Sequence, residues 1–322
     1  MIELGFEQLR SLCLAAVRGA GGDERTATAL TDAVLAAERR GNSPVGVAHL
    51  VDYLDALRAG RLNGTPEPVV HNRRRAVVTV SADDGVAQVA FVAARSLLTE
   101  AVRDCGVAVL SISDSYPVGE LGYYTAALAE QGLIALAGAN STALMSLFGA
   151  RDALTGTNPF SFALPGNPVR LIDQASSTVA WVRIRDAAAE GRPIPADWAL
   201  DADGNPTTDA RAALQGPVLP FGGVKGSNLA LTIELLAALS GGLFSVDSPD
   251  FASGDRPPRL GMFLLALDPA AFDAGYLQRV EEHLGRLRTG YGIDFGRYYA
   301  TVDRVVLSDE LVRRLEDAAG QA

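Results

Sequence analysis

The sequence predicts an α/β fold, a mixed sheet with flanking helices preceded by a helical N-terminal unit. Apolar residues recur at helical spacing through residues 6–59, whereas β-branched runs begin near Val77 and then alternate with helical segments. No Gly-x-Gly-x-x-Gly follows a predicted strand, so the fingerprint of the Rossmann fold is missing. We therefore expect a non-Rossmann sheet. We expect residues 1–72 to pack with the C-terminal segment 288–322, and residues 73–287 to form a second, larger domain.

The composition narrows the class of protein. With 322 residues, 48% of them hydrophobic, the chain can bury a sizeable core. No apolar run reaches the roughly 18 residues that span a bilayer, and the acidic N-terminus does not resemble a secretory signal. The two cysteines are predicted to be reduced thiols of a cytoplasmic protein. A net charge of −10 argues against binding to nucleic acid or anionic membranes.

The N-terminal unit is predicted to contain three helices, over residues 6–20, 23–41 and 47–59. Asp23 or Gly22 is the expected N-cap of the second helix, because short polar residues and glycine favour that position. A glycine follows each of the last two helices and is expected to stop it.

The middle of the chain alternates between the two kinds of element. RAVVTVSA, VAVLSIS and LIALAGAN have the β-branched or continuous apolar character of strands. Two longer segments, VAQVAFVAARSLLTEAVRDCG and LGYYTAALAEQG, carry apolar residues at helical spacing and end at glycine.

The rest of the chain is predicted to add further elements of both kinds around a Pro/Asp/Gly-rich surface excursion, PIPADWALDADGNPTTD. They are a β-pair in PFSFALPG and VRLIDQAS, a helix in STVAWVRIRDAAAEG, a buried apolar helix in GSNLALTIELLAALSGGLF, a strand in GMFLLALDP, and a final helix in SDELVRRLEDAAGQ with Ser308 as its N-cap.

Two short motifs could carry chemistry. In FGGVKGSN, three glycines surround Lys225 just before a helix, so free backbone N–H groups and an ammonium could bind an anion. The same pattern also fits a plain loop entering a helix. In TGTNPFSF, Thr157 and Asn158 by themselves indicate no more than a polar turn. The three histidines show no metal-binding spacing.

Taken in order, these motifs resemble the type-2 malate/L-lactate dehydrogenases. That group includes ureidoglycolate and sulfolactate dehydrogenases and Δ1-piperideine-2-carboxylate reductases. The resemblance rests on GVAHLVDYL, GYYTAALAEQGLIALAGAN, LTGTNPFSFALPG, LIDQASSTVAWVRI, GRPIPADWALDADGNPTTD, LPFGGVKGSNLALTIELLAALSGG and FLLALDP. It implies a non-Rossmann NAD(P)-binding fold, a homodimer, and a small-molecule site in a cleft between domains. Residues 73–287 would then be the domain for NAD(P) binding and dimerisation.

The resemblance also implies which residues bind NADH or NADPH. The loop from Pro117 to Leu121 is carried over by position only, because its sequence departs from the family. The expected cofactor-binding residues are Val118, Gly119, Leu121, Thr157, Asn158, Asp173, Gln174, Ala175, Lys225 and Gly226.

The chain departs from the family at its two histidine signatures. The first typically reads Asp-Ser-His-Gly, and alignment on residues 40–41 and Gly46 puts Val45 in place of the histidine. His49 then falls where the family has a carboxylate-binding arginine, while Tyr53 retains the family tyrosine. The second signature normally reads Asn-Ser-Asn-His-Phe-Gly, and it has Pro117 at its histidine.

These departures change the expected proton chemistry. Reduction of a ketone needs an acid for the developing alkoxide, and a positioned acid supplies roughly 10²–10⁴-fold in rate. Neither valine nor proline is an acid, whereas a protonated imine gives a neutral amine and needs none. The replacement candidates are Tyr116 as donor, His49 as acid or carboxylate ligand, and Asp114 as a partner for a cation. The substrate-binding candidates are Ser43, Val45, Tyr53, Pro117 and Glu120.

Three functions follow. The first is an NAD(P)H-dependent reductase of an imine or unusual carbonyl compound. The second is a 2-hydroxy acid/2-keto acid dehydrogenase that uses Tyr116 or His49. The third is a non-catalytic homologue that binds a ligand or partner. The cofactor-type residues fit the family pattern, which favours an enzyme.

Overall fold

The computed structural model describes residues 1–296 and 302–320. Its N-terminal part holds one short strand and three helices, and two further elements near the C-terminus pack against them. These elements are β1 (Ile2–Gly5), α1 (Phe6–Gly19), α2 (Glu24–Arg39) and α3 (Val47–Arg58), with β9 (Arg304–Leu307) and α10 (Asp309–Ala319) at the end of the chain.

The remaining elements build and flank a seven-stranded sheet. The strands are β2 (Val69–Arg74), β3 (Val77–Ser81), β4 (Val107–Ser115), β5 (Ile134–Ala139), β6 (Phe160–Leu164), β7 (Arg170–Gln174) and β8 (Leu260–Leu267). The helices are α4 (Ala87–Cys105), α5 (Gly122–Ala129), α6 (Trp181–Glu190), α7 (Ala210–Ala213), α8 (Val224–Ala237) and α9 (Tyr276–Tyr291).

The N-terminal helices share one core with the end of the chain. Asp23 caps α2 by accepting a hydrogen bond from the Thr26 amide at 2.8 Å, and Ser308 caps α10 in the same way. β1 pairs antiparallel with β9, so the first residues are a strand rather than part of the predicted helical unit. The buried members of this core include Leu9, Leu30, Leu50, Leu54, Val312 and Leu315. The domain boundaries near residues 72 and 287 stay a prediction.

The sheet is mixed and its strand order is β2-β3-β4-β8-β5-β6-β7. Only the β3–β4 pair is parallel, and the predicted β6–β7 pair is antiparallel. This order confirms the expectation of a mixed, non-Rossmann sheet. Arg73 and Arg74 lie in the exposed edge strand β2.

Helices cover both faces of the sheet. Ala135 and Ala137 of β5 pack in one core with α4 and α5. Gly138, the residue after Ala137, faces Ile233 of α8, because a Cβ there would lie 3.0 Å from the Ile233 side chain. The alternation of side chains along a strand therefore sets α8 against the opposite face from α5.

Helix α8 is not wholly buried, contrary to the prediction from its apolar composition. Two leucines of the helix are exposed, Leu231 by 42% and Leu235 by 56%. Leu239, which lies just beyond the end of the helix, is 63% exposed. The three leucines recur every four residues and so lie on one stripe that points away from the sheet. An apolar sequence indicates that a helix will be covered, but not by which part of the molecule. Among the described residues, no helix is long and apolar enough to cross a membrane.

Candidate active site between the N-terminal unit and the sheet

Two irregular segments meet where the N-terminal unit touches the sheet. One is the break between α2 and α3, residues 42–46, and the other is the β4–α5 loop, residues 116–121. Glu120 joins them. Its carboxylate accepts hydrogen bonds from the Arg40 guanidinium and, at 3.0 Å, from the Asn42 side-chain amide.

The Glu120 side chain is only 2% exposed, and both of its oxygens have partners. We had expected Glu120 to contact the substrate, and this geometry corrects that expectation. The Glu120 carboxylate already has a positively charged partner in Arg40, so its role is to connect the break to the loop.

The break is held from inside by a second buried carboxylate. Glu38 accepts a hydrogen bond from the Ser43 hydroxyl at 3.0 Å and from the Val47 amide at 2.8 Å. It thereby satisfies a free N–H at the start of α3, a role that an N-cap side chain normally fills. A Cβ on Gly46 would overlap the Glu38 carboxylate, so the break requires glycine there. Burial raises the pKa of Glu38, and the hydrogen bonds from Val47 and Ser43 partly oppose that rise.

The predicted substrate contact of Ser43 stays a prediction, although its hydroxyl already has one partner in Glu38. Val45 is half-buried and presents an apolar side chain near the end of the break.

Two buried phenols fix the loop and its neighbours. Tyr53 donates to the carbonyl of Pro117 at 2.8 Å, and Tyr116 donates to the carbonyl of Phe251 at 3.0 Å. Burial raises the pKa of both phenols. Tyr116 therefore holds its proton firmly and already gives it to a main-chain oxygen, which argues against its predicted role as proton donor.

His49 differs from the tyrosines because one of its ring nitrogens has no partner in the described chain. Its Nδ1 lies 2.8 Å from Asp52, and its ring packs edge-on against Tyr53 with centroids 4.9 Å apart. Burial raises the pKa of Asp52, but the hydrogen bond with His49 and the charges of His49, Arg185 and Arg314 outweigh that and lower it. Asp52 thus fixes Nδ1 and leaves Nε2 as the nitrogen able to exchange a proton.

The main chain of the β4–α5 loop is anchored to the sheet domain. The Val118 carbonyl accepts from Gln88 at 2.9 Å and from the Tyr124 hydroxyl at 2.8 Å. The side chains of Val118 and Leu121 are buried, and Gly119 has a φ of +70°. Any contact of Val118 and Leu121 with a cofactor is thus limited to their backbone.

The predicted turn after β7 reaches the same loop. Asp173 accepts a hydrogen bond from the Gly122 amide at 2.6 Å, at the start of α5. Gln174 is exposed and Ala175 is half-buried, so both are accessible beside this contact. Asp114 lies at a β4 bulge instead, where it accepts from the hydroxyls of Ser81 and Ser113.

Asn158 lies against α8 and is fully buried. Its side-chain amide donates to the Ala230 carbonyl at 2.9 Å and to Glu234 at 2.7 Å. Glu234 in turn accepts from Ser245. Asn158 therefore ties α8 to the segment that leads into β6, and its expected contact with a cofactor stays a prediction. Thr157 is half-buried and stays a candidate.

The glycine loop before α8 fits an anionic group. Gly222 and Gly223 have φ values of +57° and +59°, and α8 begins without a side-chain cap. Such a turn leaves N–H groups free for a phosphate. Lys225 is exposed beside them, and it is the only lysine among the 28 basic residues of the chain. Gly226 is buried, and a Cβ there would overlap the Phe221 carbonyl.

A cavity of about 520 Å³ adjoins this loop. Phe148, Arg151 and Asp197 line it together with the two glycines. The glycine loop therefore opens onto space.

Sequence reasoning missed three residues that organise the site, Glu38, Asp52 and Gln88. Asp52 follows His49 by three residues on one helix, a spacing that brings the two side chains together and could have revealed it. Glu38 bonds across the break to the Val47 amide, and Gln88 bonds to the Val118 carbonyl of another segment, so no helical or strand periodicity marks either residue.

Comparison with known proteins agrees with this architecture. The sequence model of the malate/L-lactate dehydrogenase family matches residues 4–296. A Δ1-pyrroline-2-carboxylate/Δ1-piperideine-2-carboxylate reductase from Pseudomonas syringae is 36% identical over 315 residues, covering 93% of this chain and 91% of that protein. A (2R)-3-sulfolactate dehydrogenase (NADP(+)) from Chromohalobacter salexigens is 34% identical over 282 residues, covering 86% and 84%.

Solved structures give the same grouping. The crystal structure of the Δ1-piperideine-2-carboxylate reductase from Pseudomonas syringae superposes with a TM-score of 0.92 at 34% identity and covers 99% of this chain and 100% of that one. The sulfolactate dehydrogenase from Methanocaldococcus jannaschii superposes with a TM-score of 0.88 at 26% identity, covering 99% and 97%.

Proposed function

This chain belongs to the malate/L-lactate dehydrogenase family, and on that premise we propose that it reduces the carbon–nitrogen double bond of a cyclic imine with NADH or NADPH. Relatives named as reductases of Δ1-pyrroline-2-carboxylate and Δ1-piperideine-2-carboxylate support the reaction class. Both named compounds carry a carboxylate next to the imine carbon, so the proposed substrate is a cyclic 2-carboxylated imine.

The observation that carries the proposal is that the Tyr116 hydroxyl, at the start of the loop, already donates its proton to the main-chain carbonyl of Phe251. The two side chains that we assign to the walls of the site, Val45 and Pro117, are apolar. When bound, the nicotinamide supplies the hydride. A protonated imine that receives it becomes a neutral amine, so no alkoxide develops and no protein acid is needed at that step. Apolar walls exclude water and suit this reaction better than reduction of a ketone.

The cofactor would be held at both ends of the site. The backbone of the β4–α5 loop, Thr157 and the turn over residues 173–175 border the nicotinamide end. The glycine loop and Lys225 supply donors for the phosphates. Arginine replaces lysine everywhere else in the chain, which supports a role for the compact ammonium of Lys225.

The second candidate is reduction of a 2-keto acid, and the His49–Asp52 pair favours it. Its free Nε2 is the kind of group that could protonate an alkoxide. The sulfolactate dehydrogenase relatives belong to this reaction class by name.

We also propose a cytoplasmic homodimer. The exposed apolar stripe of α8, Leu231 with Leu235 and Leu239, is the surface we expect a second copy to cover. Light scattering of Leu235→Glu should then report a monomer where the wild type reports a dimer. Both cysteines are free thiols, as in a reducing compartment.

The deciding assay follows NAD(P)H consumption with cyclic imines and with matched 2-keto acids. We expect imine turnover that falls as pH rises through the pKa of the imine itself, and that changes less than about threefold in His49→Gln. Efficient keto-acid turnover that falls by about 10²-fold or more in His49→Gln would show that the second candidate function is the right one.

A further inference from the structure

We propose that Glu120 is a positioning residue that fixes the spacing between the break and the β4–α5 loop, and through it the two walls of the site. The inference deepens the proposed function and rests on it for the identity of those walls. It assigns to Glu120 a role in the reaction without any contact with the reacting atoms.

The Glu120 carboxylate joins the two segments close to both proposed walls, and we call its contact with Arg40 and Asn42 the clamp. Arg40 lies directly before the break and Asn42 begins it, and both donate to the same carboxylate. On the other side, Glu120 follows Pro117 by three residues within the loop. Within the described chain, it is the one loop side chain that bonds to the N-terminal unit. Because Val45 and Pro117 belong to different units, this link sets how far apart they stand.

The other anchors of the loop do not replace this link. Gln88 and Tyr124 hold the Val118 carbonyl within the sheet domain, and Asp173 holds the Gly122 amide there. Tyr53 reaches across from the N-terminal unit, but it carries a neutral hydrogen bond. Only Glu120 crosses with a charged pair, and such hydrogen bonds are stronger and more directional than neutral ones.

Loss of the clamp should therefore leave a folded protein whose walls are less well spaced. Hydride transfer depends steeply on the approach of the reacting atoms, and a misplacement of about 1 Å can cost about 10²-fold. Substrate binding depends on the same distance much less.

The test compares Glu120→Gln, Arg40→Met and the double variant. Removing one member leaves an unpaired buried group, whereas removing both restores electrical balance. We expect kcat to fall about 10- to 100-fold in each variant, with KM changed less than about threefold. We expect the melting temperature to drop in the single variants and to recover in the double variant, while kcat stays low. Glu67→Gln is the matched control, because Glu67 pairs with Arg25 but is 79% exposed.

A kcat that recovers together with the melting temperature would overturn the proposal, since Glu120 would then be only a stabilising residue. So would a Glu120→Gln variant that keeps kcat within about twofold of wild type. If Glu120→Gln does not fold, Arg40→Lys serves instead. It keeps the charge, loses the two-nitrogen fork, and should show a several-fold fall in kcat with a larger isotope effect from 4-deuterated cofactor.

The assay uses whichever substrate class the wild type reduces, so failure of imine turnover alone overturns the proposed function and leaves this test intact. If the wild type reduces neither class, Glu120 has no reaction to position, and this proposal is overturned together with the proposed function.

Discussion

The break with its β4–α5 loop and the glycine loop before α8 are both irregular, but they are built in opposite ways. Around the break, Glu38 and Glu120 are buried and have all their oxygens bonded. Around the glycine loop, the Lys225 ammonium forms no hydrogen bond or ion pair within the described residues, and a cavity adjoins the loop. A segment that must hold reactants at a fixed distance satisfies its polar groups internally. A segment that must receive an anion keeps its donors free.

A single methyl group should disrupt the closed region. We predict that Gly46→Ala lowers the free energy of unfolding by about 3 kcal/mol, because the new Cβ displaces Glu38 and costs α3 its cap. Chemical denaturation measures this. Gly285→Ala is the control, because it lies in helix α9 with nothing within 4 Å of the added atom. A loss no larger in Gly46→Ala than in the control would show that the break is not closely packed.

The open region should affect binding rather than stability. We predict that Lys225→Ala weakens NAD(P)H binding by about 2 kcal/mol, the magnitude of a lost charged hydrogen bond, with an unchanged melting temperature. Cofactor fluorescence titration measures it. Because the chain has a single lysine, acylation of amines followed by mass spectrometry gives a second readout. Bound cofactor should protect Lys225 from acylation, whereas the N-terminal amine should be acylated to the same extent with and without cofactor. Unchanged affinity in the variant would remove the glycine loop from the cofactor site.

Tyr116→Phe sharpens the comparison within the closed region. We predict a loss of about 1 kcal/mol in stability and less than a twofold change in imine turnover, because the lost bond is structural. The Phe251 carbonyl keeps Arg61 as a donor, so no acceptor is left unpaired. A fall in turnover of about 10²-fold with intact stability would instead make Tyr116 the acid.

The smallest effect should be the pH dependence contributed by Glu38. Burial raises the pKa of this carboxyl above its unfolded value. Its stabilising contribution is then fully present below the unfolded pKa and is lost as pH rises through the folded pKa. Glu38→Gln cannot titrate, so the wild-type melting temperature should gain on that of the variant as pH is lowered from 8 to about 4. A difference between the two that does not change with pH would contradict a raised pKa.

The sequence by itself determined the local elements of this protein. Helical spacing located α1 to α3, and β-branched or continuous apolar runs located β3, β4 and β8 within a few residues. Asp23 and Ser308 were recognisable as caps, because a cap acts on amides three residues away. The mixed, non-Rossmann sheet followed from the alternation and from the missing glycine fingerprint.

Only the tertiary structure decided which polar side chains are free. Glu120 meets Arg40 across 80 positions of sequence, and Tyr116 meets Phe251 across 135. Ser43, Asn158 and Glu120 were plausible ligand contacts by residue type, and each proved to be bonded inside the protein. The exposure of the leucine stripe on α8 could not be predicted from the sequence for the same reason. Periodicity records which residues share a face, whereas the partner of that face depends on how distant segments pack.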